Sequence, residues 1–282
     1  MIIDFHTHIF PDKIAEKTIS FLAEKSSTSP YTNGTVDGLN AQMKKANCDI
    51  AVALPVVTKP SQFDSVNAFA AAINEKFNAE KRGVISFGGI HPLCENIKEK
   101  MRQLKEKGFL GVKIHPDYQD AFIDCDGYIE ILKSAKELDM IVVTHAGVDI
   151  GYIGQPVKCP PSLALKVIKK VGHGKFVLAH YGGHDQWTDV LDELAGQNVY
   201  FDTAFTLHEI DEKLFKQILE KHGADKILFA SDCPWRDIEA DKNTLLSYNL
   251  DKETQDKIFY KNALKLLFAD ECTFKSFGYK EK

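Results

Sequence analysis

The chain has 282 residues, of which 44% are hydrophobic and 27% are charged, and its net charge at pH 7 is −5. This composition is typical of a globular protein with an ordinary core, and the negative charge argues against nucleic acid as a partner, because phosphate backbones favour basic surfaces. The length suits one large domain or two small ones.

No signal for targeting, membrane insertion or disulfide formation stands out. The N-terminus lacks the succession of charged, apolar and small residues of a signal peptide, and no apolar run approaches the roughly 18 residues needed to span a bilayer. The six cysteines include no CxxC pair, which argues against a zinc knuckle, a redox pair or a disulfide scaffold. We expect a cytoplasmic protein whose partner is a small-molecule substrate, with no membrane contact. The oligomeric state is not determined by the sequence, which leaves a homo-oligomer open.

Eight short apolar runs recur along the chain, and helix-like stretches lie between them. The runs are IIDFH, DIAVAL, GVISFGGI, LGVKIH, MIVVTH, KFVLAH, NVYFD and KILFASD, and they begin at residues 2, 49, 83, 110, 140, 175, 198 and 226. Such nearly continuous apolar runs are typical of parallel strands that are covered on both faces. Helical patterns follow at 65–81, 96–108 and 211–223, and the last two end in a glycine that suits a helix C-cap.

Eight strand–helix units in a chain slightly longer than about 250 residues match the count of a TIM barrel. We therefore predict an α/β fold with a distorted TIM (β/α)8 barrel as one domain over residues 1–282. A doubly wound sheet is the alternative, because the order of strands in a sheet cannot be read from sequence.

The active site of a TIM barrel lies at the C-terminal ends of its strands, so the polar residues that close the runs are candidates for chemistry. They are His6, His8, His91, His115, His145, His180, Asp202 and Asp232. Seven of the ten histidines, these six and His184, fall at or just after a run. The other three, His173, His208 and His222, are expected at the surface.

Four of these residues have the composition of a catalytic metal site. Side chains alternate along a strand, so His6 and His8 point to the same side. A catalytic divalent ion takes three or four nitrogen and oxygen ligands and keeps a position open for water. His6, His8, His145 and Asp232 supply such a set, for one ion with Zn²⁺ as first choice and Mn²⁺ or Fe²⁺ as alternatives. The bound water would have a pKa of about 7 and provide hydroxide as nucleophile.

Two residues are predicted to handle protons. His180 would hydrogen-bond the water or the substrate oxygen that it attacks. Asp232 would accept the proton of the water and later deliver it to the leaving group.

Several motifs together resemble the amidohydrolase superfamily: HTH at residues 6–8, THAG at 144–147, AHYGGHDQW at 179–187, FASDCPW at 229–235 and FYKNALKLLF at 259–268. More narrowly, they resemble the amidohydrolase-2 family, which contains hydrolases and nonoxidative decarboxylases of the aminocarboxymuconate semialdehyde and resorcylate type. The resemblance implies a metal-dependent TIM barrel in which His6, His8, His145 and Asp232 bind the metal. It also implies that His180 is the histidine next to these ligands.

Five further residues are candidates for substrate binding. Lys113 and His115 lie two residues apart and face the same side of their strand. In some amidohydrolases a carboxylated lysine on this strand bridges two metals, so a second ion is expected only if Lys113 is carboxylated; otherwise its ammonium meets an anionic substrate or its stem packs in the barrel. His115 is expected to contact the substrate.

The remaining candidates follow other strands. His91 is predicted either to contact the substrate or to have a structural role. Arg236 could bind a substrate carboxylate through two hydrogen bonds or pair with Asp237 or Glu239 on the surface. Trp235 would close off the pocket.

We predict a metal-dependent hydrolase of a small polar or carboxylate-bearing substrate, and a metal-dependent nonoxidative decarboxylase is the alternative on the same site. A TatD-type nuclease is disfavoured, because that group would be expected to have a glutamate where this chain has Lys113. A non-catalytic metal-binding barrel is disfavoured because both proton-handling residues, His180 and Asp232, are present.

Overall fold

Parallel strands alternate with helices along the chain in a computed structural model that describes residues 1–80 and 82–268. The strands are β1 (Ile3–Thr7), β2 (Ile50–Ala53), β3 (Gly83–Ser86), β4 (Gly88–Gly89), β5 (Gly111–Ile114), β6 (Ile141–Thr144), β7 (Phe176–Leu178), β8 (Tyr200–Asp202) and β9 (Ile227–Leu228). The helices are α1 (Asp12–Ser26), α2 (Val36–Ala46), α3 (Phe63–Glu80), α4 (Ile97–Glu106), α5 (Asp126–Glu137), α6 (Pro161–Val171), α7 (Trp187–Asp189), α8 (Glu212–His222), α9 (Ile238–Ser247), α10 (Lys252–Asp256) and α11 (Asn262–Phe268).

The strands follow one another in sequence order, and every pair is parallel. β1, β2 and β3 form one sheet, and β4 to β9 form the other. The single residue Phe87 separates β3 from β4, so both belong to the third predicted run. On the other side of the barrel, β1 meets the segment that follows β9. Phe5 N donates to Phe229 O at 2.9 Å, and Thr7 forms a parallel β-bridge with Cys233.

This order confirms the predicted α/β barrel, although the ladder is divided into two sheets and is not continuous. A doubly wound sheet would have its strand order reversed at one point, and no such reversal occurs within either described sheet. Each of the eight predicted runs contains a strand, and the third contains two. No described helix combines the length and the apolar character required to cross a bilayer.

The apolar character of the runs follows from burial on both faces. In β2, Ile50 and Val52 belong to one hydrophobic cluster, whereas Ala51 and Ala53 belong to a second, larger cluster that also contains the buried sides of most helices. All four residues are at most 1% exposed. Burial of both faces explains why no alternation of polar and apolar residues is visible in the sequence.

Two histidines that were expected at the surface are buried. His173 donates from Nε2 to Met140 O at 2.9 Å, and His222 donates from Nε2 to Val199 O at 3.0 Å. The surface prediction was therefore wrong for both, because each ring supplies a hydrogen bond to a backbone carbonyl that precedes a strand. His208 is exposed, as predicted, and contacts Asp241 at 2.7 Å.

The buried histidines predict a dependence of stability on pH. Burial lowers the pKa of both His173 and His222 from 6.5 to about 4. Their contribution to stability is complete above pH 6.5 and is lost as the pH falls toward 4, because the unfolded chain then binds protons that the folded chain does not. As the pH falls from 7 to 5, each of the two histidines should lower the free energy of unfolding by about 2 kcal/mol. Urea unfolding at the two pH values should show a smaller decrease for the His173→Gln/His222→Gln variant, and an equal decrease would contradict this assignment.

The loops that follow β6 and β7 are in close contact at one glycine. Gly147 has a φ of +81°, and a Cβ at this position would lie 2.1 Å from the backbone nitrogen of His184. The backbones of these two residues form a bridge, in which His184 N donates to Ala146 O and Val148 N donates to His184 O, both at 2.9 Å. A side chain at Gly147 would separate two loops that carry predicted site residues.

Gly147→Ala should therefore lower the free energy of unfolding by about 2 kcal/mol or more, through a clash combined with an unfavourable φ. Gly154→Ala is the matched control, since Gly154 has a φ of +84° but a Cβ at this position would meet no atom within 4 Å. The free energy of unfolding of the control, measured by urea unfolding, should fall by no more than about 1 kcal/mol. Equal losses in the two variants would show that the contact with His184 is unimportant.

Candidate active site

A cavity of about 420 Å³ lies at the C-terminal ends of the strands. Eight of the ten predicted site residues line it: His6, His8, Lys113, His115, His145, His180, Asp232 and Trp235. The clustering follows from the fold, because the C-terminal ends of parallel strands in a barrel meet at one face.

Three of the four predicted metal ligands converge on one point. Asp232 Oδ1 lies 3.3 Å from His6 Nε2 and 3.1 Å from His8 Nε2, and the two nitrogens are 3.2 Å apart. These three residues form a group whose donor atoms are close enough to hold a single metal ion. His6 closes β1 and His8 follows it by two residues, so their side chains share one side as predicted.

The tautomers of both histidines suit a cation. His6 donates from Nδ1 to Asp202 Oδ2 at 2.9 Å, and His8 donates from Nδ1 to Leu54 O at 3.0 Å. With a proton fixed on Nδ1, each ring can present the lone pair of Nε2 to a cation bound beside Asp232. Burial, assisted by the charge of Lys113, lowers the pKa of His6 well below its usual range, so this ring is neutral.

Asp232 contributes a negative charge to the same point. Its Oδ1 is buried and has no hydrogen-bond partner. Two imidazole nitrogens and one carboxylate oxygen thus face one another, and a divalent cation would satisfy all three.

Lys113 is fully buried at the base of the cavity. Its Nζ lies 3.1 Å from His6 Nε2. Burial lowers the pKa of Lys113 to about 8, while Asp202 and Asp232 act in the opposite direction. The ammonium donates a hydrogen bond to the lone pair of His6 Nε2, which is the lone pair that a metal ion would bind. An ion at His6 therefore requires Lys113 to turn toward the cavity or to lose its charge.

The fourth predicted ligand, His145, lies beside His180. His145 Nδ1 and His180 Nε2 are 2.9 Å apart, and His180 donates from Nδ1 to Ala204 O at 2.9 Å. The ring of His180 is centred 5.4 Å from that of His6. His145 also stacks on His115 at 4.4 Å and belongs to a second group of potential ligands with His115 and Asp149. Its role as a ligand of the first ion stays a prediction.

Two predicted residues lie outside the cavity lining. His91 is buried, and its Nδ1 accepts a hydrogen bond from Leu93 N at 3.1 Å, which favours the structural alternative. The guanidinium of Arg236 lies over the ring of Phe205 at 5.5 Å.

The surface pairs considered for Arg236 are formed by another residue. Lys45 approaches Asp237 at 2.7 Å and Glu239 at 3.5 Å. Trp235 lines the cavity, and its role in closing off the pocket stays a prediction.

Two residues of the site were visible in the sequence but received no role there. Asp202 closes the seventh run, and its carboxylate accepts hydrogen bonds from His6 Nδ1 and from the backbone nitrogens of His180 and Ala204. His184 belongs to the AHYGGHDQW motif and lies 2.8 Å from Glu209 Oε2. The Glu209 carboxylate raises the pKa of His184 against the effect of burial.

The mouth of the cavity is aromatic, and no motif in the sequence indicated this. Tyr118 stacks on His115 at 3.9 Å and is followed outward by Tyr152, with ring centres 5.8 Å apart. Lys25 of α1 lies over Tyr152, with Nζ 3.4 Å from the ring centre. These residues come from loops and from the first helix, which carry no signal of their own for a binding site.

Solved structures with this fold include several enzymes. The structure of 2,6-dihydroxybenzoate decarboxylase from Rhizobium has a TM-score of 0.67 and 14% identity over 95% of this chain and 99% of that chain. The structure of 5-carboxyvanillate decarboxylase from Novosphingobium aromaticivorans, complexed with manganese, has a TM-score of 0.68 and 13% identity over 95% of this chain and 96% of that chain. An uncharacterized TIM-barrel protein from Bordetella bronchiseptica has a TM-score of 0.73 and 15% identity over 99% of both chains. At these identities the similarity establishes the fold.

The sequence comparison establishes the family. The amidohydrolase family Amidohydro_2 matches residues 3–269, which is nearly the whole chain, whereas no curated protein gives a significant match. The matched range contains His6, His8 and Asp232, which converge in the cavity, and the histidines beside them. The chain belongs to this amidohydrolase family, and it is a metal-dependent enzyme of the hydrolase or carboxy-lyase type, as the motifs at its strand ends predict.

Proposed function

We propose that this enzyme acts on a small carboxylate-bearing molecule, with hydrolysis as the first candidate reaction. The observation that carries the proposal is the convergence of His6 Nε2, His8 Nε2 and Asp232 Oδ1 within 3.1–3.3 Å of one another. Such a set of ligands is expected of a catalytic divalent ion that leaves positions open for water and substrate.

The proposed ligands are His6, His8, Asp232 and His145 for one ion. When bound, a divalent ion lowers the pKa of a water molecule and polarises a substrate oxygen. The donor set of imidazole nitrogens and a carboxylate oxygen suits Zn²⁺ and Mn²⁺ alike. Zn²⁺ remains our first choice, and Mn²⁺ has the support of the manganese-containing decarboxylase structure.

Asp232 and His180 are the proposed proton carriers. The Asp232 carboxylate would contact the ion through Oδ1 and accept a proton from a nucleophile at the base of the cavity through its other oxygen. His180 is almost fully buried, and its bond to Ala204 O leaves Nε2 as its functional nitrogen. Release of Nε2 from His145 would let His180 hydrogen-bond the substrate.

Lys113 is proposed to orient the substrate carboxylate. The Lys113 ammonium is the positive charge next to the proposed ligands. Because it is buried, leaving it without a hydrogen-bond partner would cost free energy. A substrate carboxylate would replace His6 as the partner of its ammonium. His115 and Trp235, which line the cavity, would contact the remainder of the substrate.

Nonoxidative decarboxylation is the second candidate reaction, and a specific observation favours it. The cavity wall contains the stacked rings of Tyr118 and His115 as well as Tyr152, Phe205 and Trp235. Such a wall suits a planar aromatic carboxylate. Structures with the same fold include decarboxylases of 2,6-dihydroxybenzoate and 5-carboxyvanillate.

Metal content is the first test. Protein purified without added metal or chelator should contain about one ion per chain by mass spectrometry. Asp232→Asn should lose most of the ion and lower turnover at least about 100-fold, because both a ligand and a proton acceptor are removed. Asp185→Asn is the control, since Asp185 is exposed and lies outside the cavity lining. Wild-type metal content and turnover in Asp232→Asn would refute the site, and about two ions per chain would instead indicate a carboxylated Lys113.

Product analysis separates the two reactions. With hydroxybenzoates, and with amides or esters that carry a carboxylate, turnover in H₂¹⁸O should place ¹⁸O in the product of a hydrolysis. A decarboxylation should instead release carbon dioxide and, in D₂O, place deuterium on the carbon that loses the carboxylate. We expect ¹⁸O in the product, and carbon dioxide release without ¹⁸O incorporation would overturn hydrolysis in favour of the second candidate.

A further inference from the structure

Two buried polar atoms beside the proposed metal site face each other without a partner. His145 Nε2 and Asp117 Oδ2 are 4.0 Å apart, and neither makes a hydrogen bond. The exposed fractions of the two side chains are 9% and 3%. Buried polar groups in folded proteins are nearly always paired, so an unpaired ring nitrogen and an unpaired carboxylate oxygen at this position call for a partner. The proposed reaction gives Asp117 no role.

Asp117 is held firmly in the loop that follows β5. The neighbouring Gln119 donates from Nε2 to Val57 O at 2.7 Å and to Ile90 O at 2.8 Å. Its Oε1 accepts hydrogen bonds from His115 N and from the hydroxyl of Tyr128. A loop with these buried anchors keeps the Asp117 carboxyl in place, so the carboxyl can act as a fixed support.

The surroundings of His145 Nδ1 determine which of the two ring nitrogens of His145 carries the proton. His180 donates from Nδ1 to Ala204 O, so the neutral ring of His180 presents a lone pair at Nε2, which lies 2.9 Å from His145 Nδ1. A neutral His145 with its proton on Nδ1 would present the lone pair of Nε2 to the carboxylate of Asp117. The opposite tautomer, with the proton on Nε2, directs a donor at Asp117 and leaves the lone pairs of His145 Nδ1 and His180 Nε2 facing each other, an arrangement that a cation bound to Nδ1 would stabilise.

We propose that Asp117 is the positioning residue of His145: it accepts the Nε2 hydrogen and thereby holds Nδ1 as a lone pair for the metal ion. This inference rests on the proposed function, in which His145 is a ligand. A ring movement of about 1 Å would bring the two atoms within hydrogen-bond distance. Carboxylates commonly orient metal-binding histidines in this way and strengthen their binding.

The neighbouring group of His115, His145 and Asp149 offers a rival explanation, a second ion. His115 Nδ1 accepts a hydrogen bond from Tyr118 N at 3.3 Å, so the neutral ring carries its proton on Nε2. This Nε2 lies 3.5 Å from Asp149 Oδ2. His115 therefore directs a hydrogen at Asp149 instead of a lone pair at an ion, and the arrangement favours a role of Asp117 through His145.

The test measures the binding of Mn²⁺ to metal-free protein by titration calorimetry. Asp117→Ala should weaken binding about 10- to 100-fold, and Asp117→Asn should weaken it less, because the amide oxygen can still accept the hydrogen. Asp120→Asn is the control, since Asp120 belongs to the same loop but is exposed and pairs with Lys158. Thermal unfolding of the metal-free variants establishes that each is folded.

A double-mutant cycle tests the route through His145. His145→Ala should weaken binding at least as much as Asp117→Ala, and the double variant should bind no more weakly than His145→Ala alone. Wild-type affinity in folded Asp117→Ala and Asp117→Asn, or additive losses in the double variant, would overturn the inference. So would two Mn²⁺ per wild-type chain with one lost in Asp117→Ala, because that result identifies a second ion site. Failure of the wild-type protein to bind Mn²⁺ or Zn²⁺ would instead overturn the proposed function.

Discussion

The site depends on the pairing of the first strand with the segment that follows the last one. Asp232 N donates to His6 O at 2.9 Å, and His8 N donates to Cys233 O at 2.6 Å. Behind them, the fully buried Asp4 accepts hydrogen bonds from both the backbone and the hydroxyl of Ser231. These bonds join segments that are 227 residues apart in sequence. They hold two imidazoles and a carboxylate together by contacts within the protein, so the proposed ligands are arranged before an ion binds.

The directions of the histidine rings are set by acceptors around them. Asp202, which closes β8, accepts the Nδ1 hydrogen of His6, while backbone carbonyls accept those of His8 and His180. Each bond leaves the opposite nitrogen as a lone pair directed at the cavity. Burial then keeps the rings of His6 and His180 neutral, because it lowers the pKa of both. The same arrangement extends to His145, for which Asp117 is the available acceptor. The barrel thus supplies both the ligands and the groups that select their tautomers.

Sequence patterns were sufficient where a residue's place follows from strand geometry. His6 and His8 share a side because side chains alternate along β1, and Asp232 approaches them because the first and last strands of a barrel are neighbours. The prediction was wrong for His173 and His222, whose burial depends on hydrogen bonds to Met140 O and Val199 O. A lone histidine in a polar stretch carries no pattern that distinguishes such a contact from exposure to solvent.

The residues alone were enough to indicate the fold, the family and a divalent metal, because all three depend on features that repeat or that lie at the ends of strands. The partners of the ligands depended on the tertiary structure. Asp202 accepts a hydrogen bond from His6 and Asp117 faces His145, each from another strand, and the aromatic mouth is built from loops and α1. Long-range contacts of this kind arise from the packing of separate segments, so neither spacing nor periodicity along the chain encodes them.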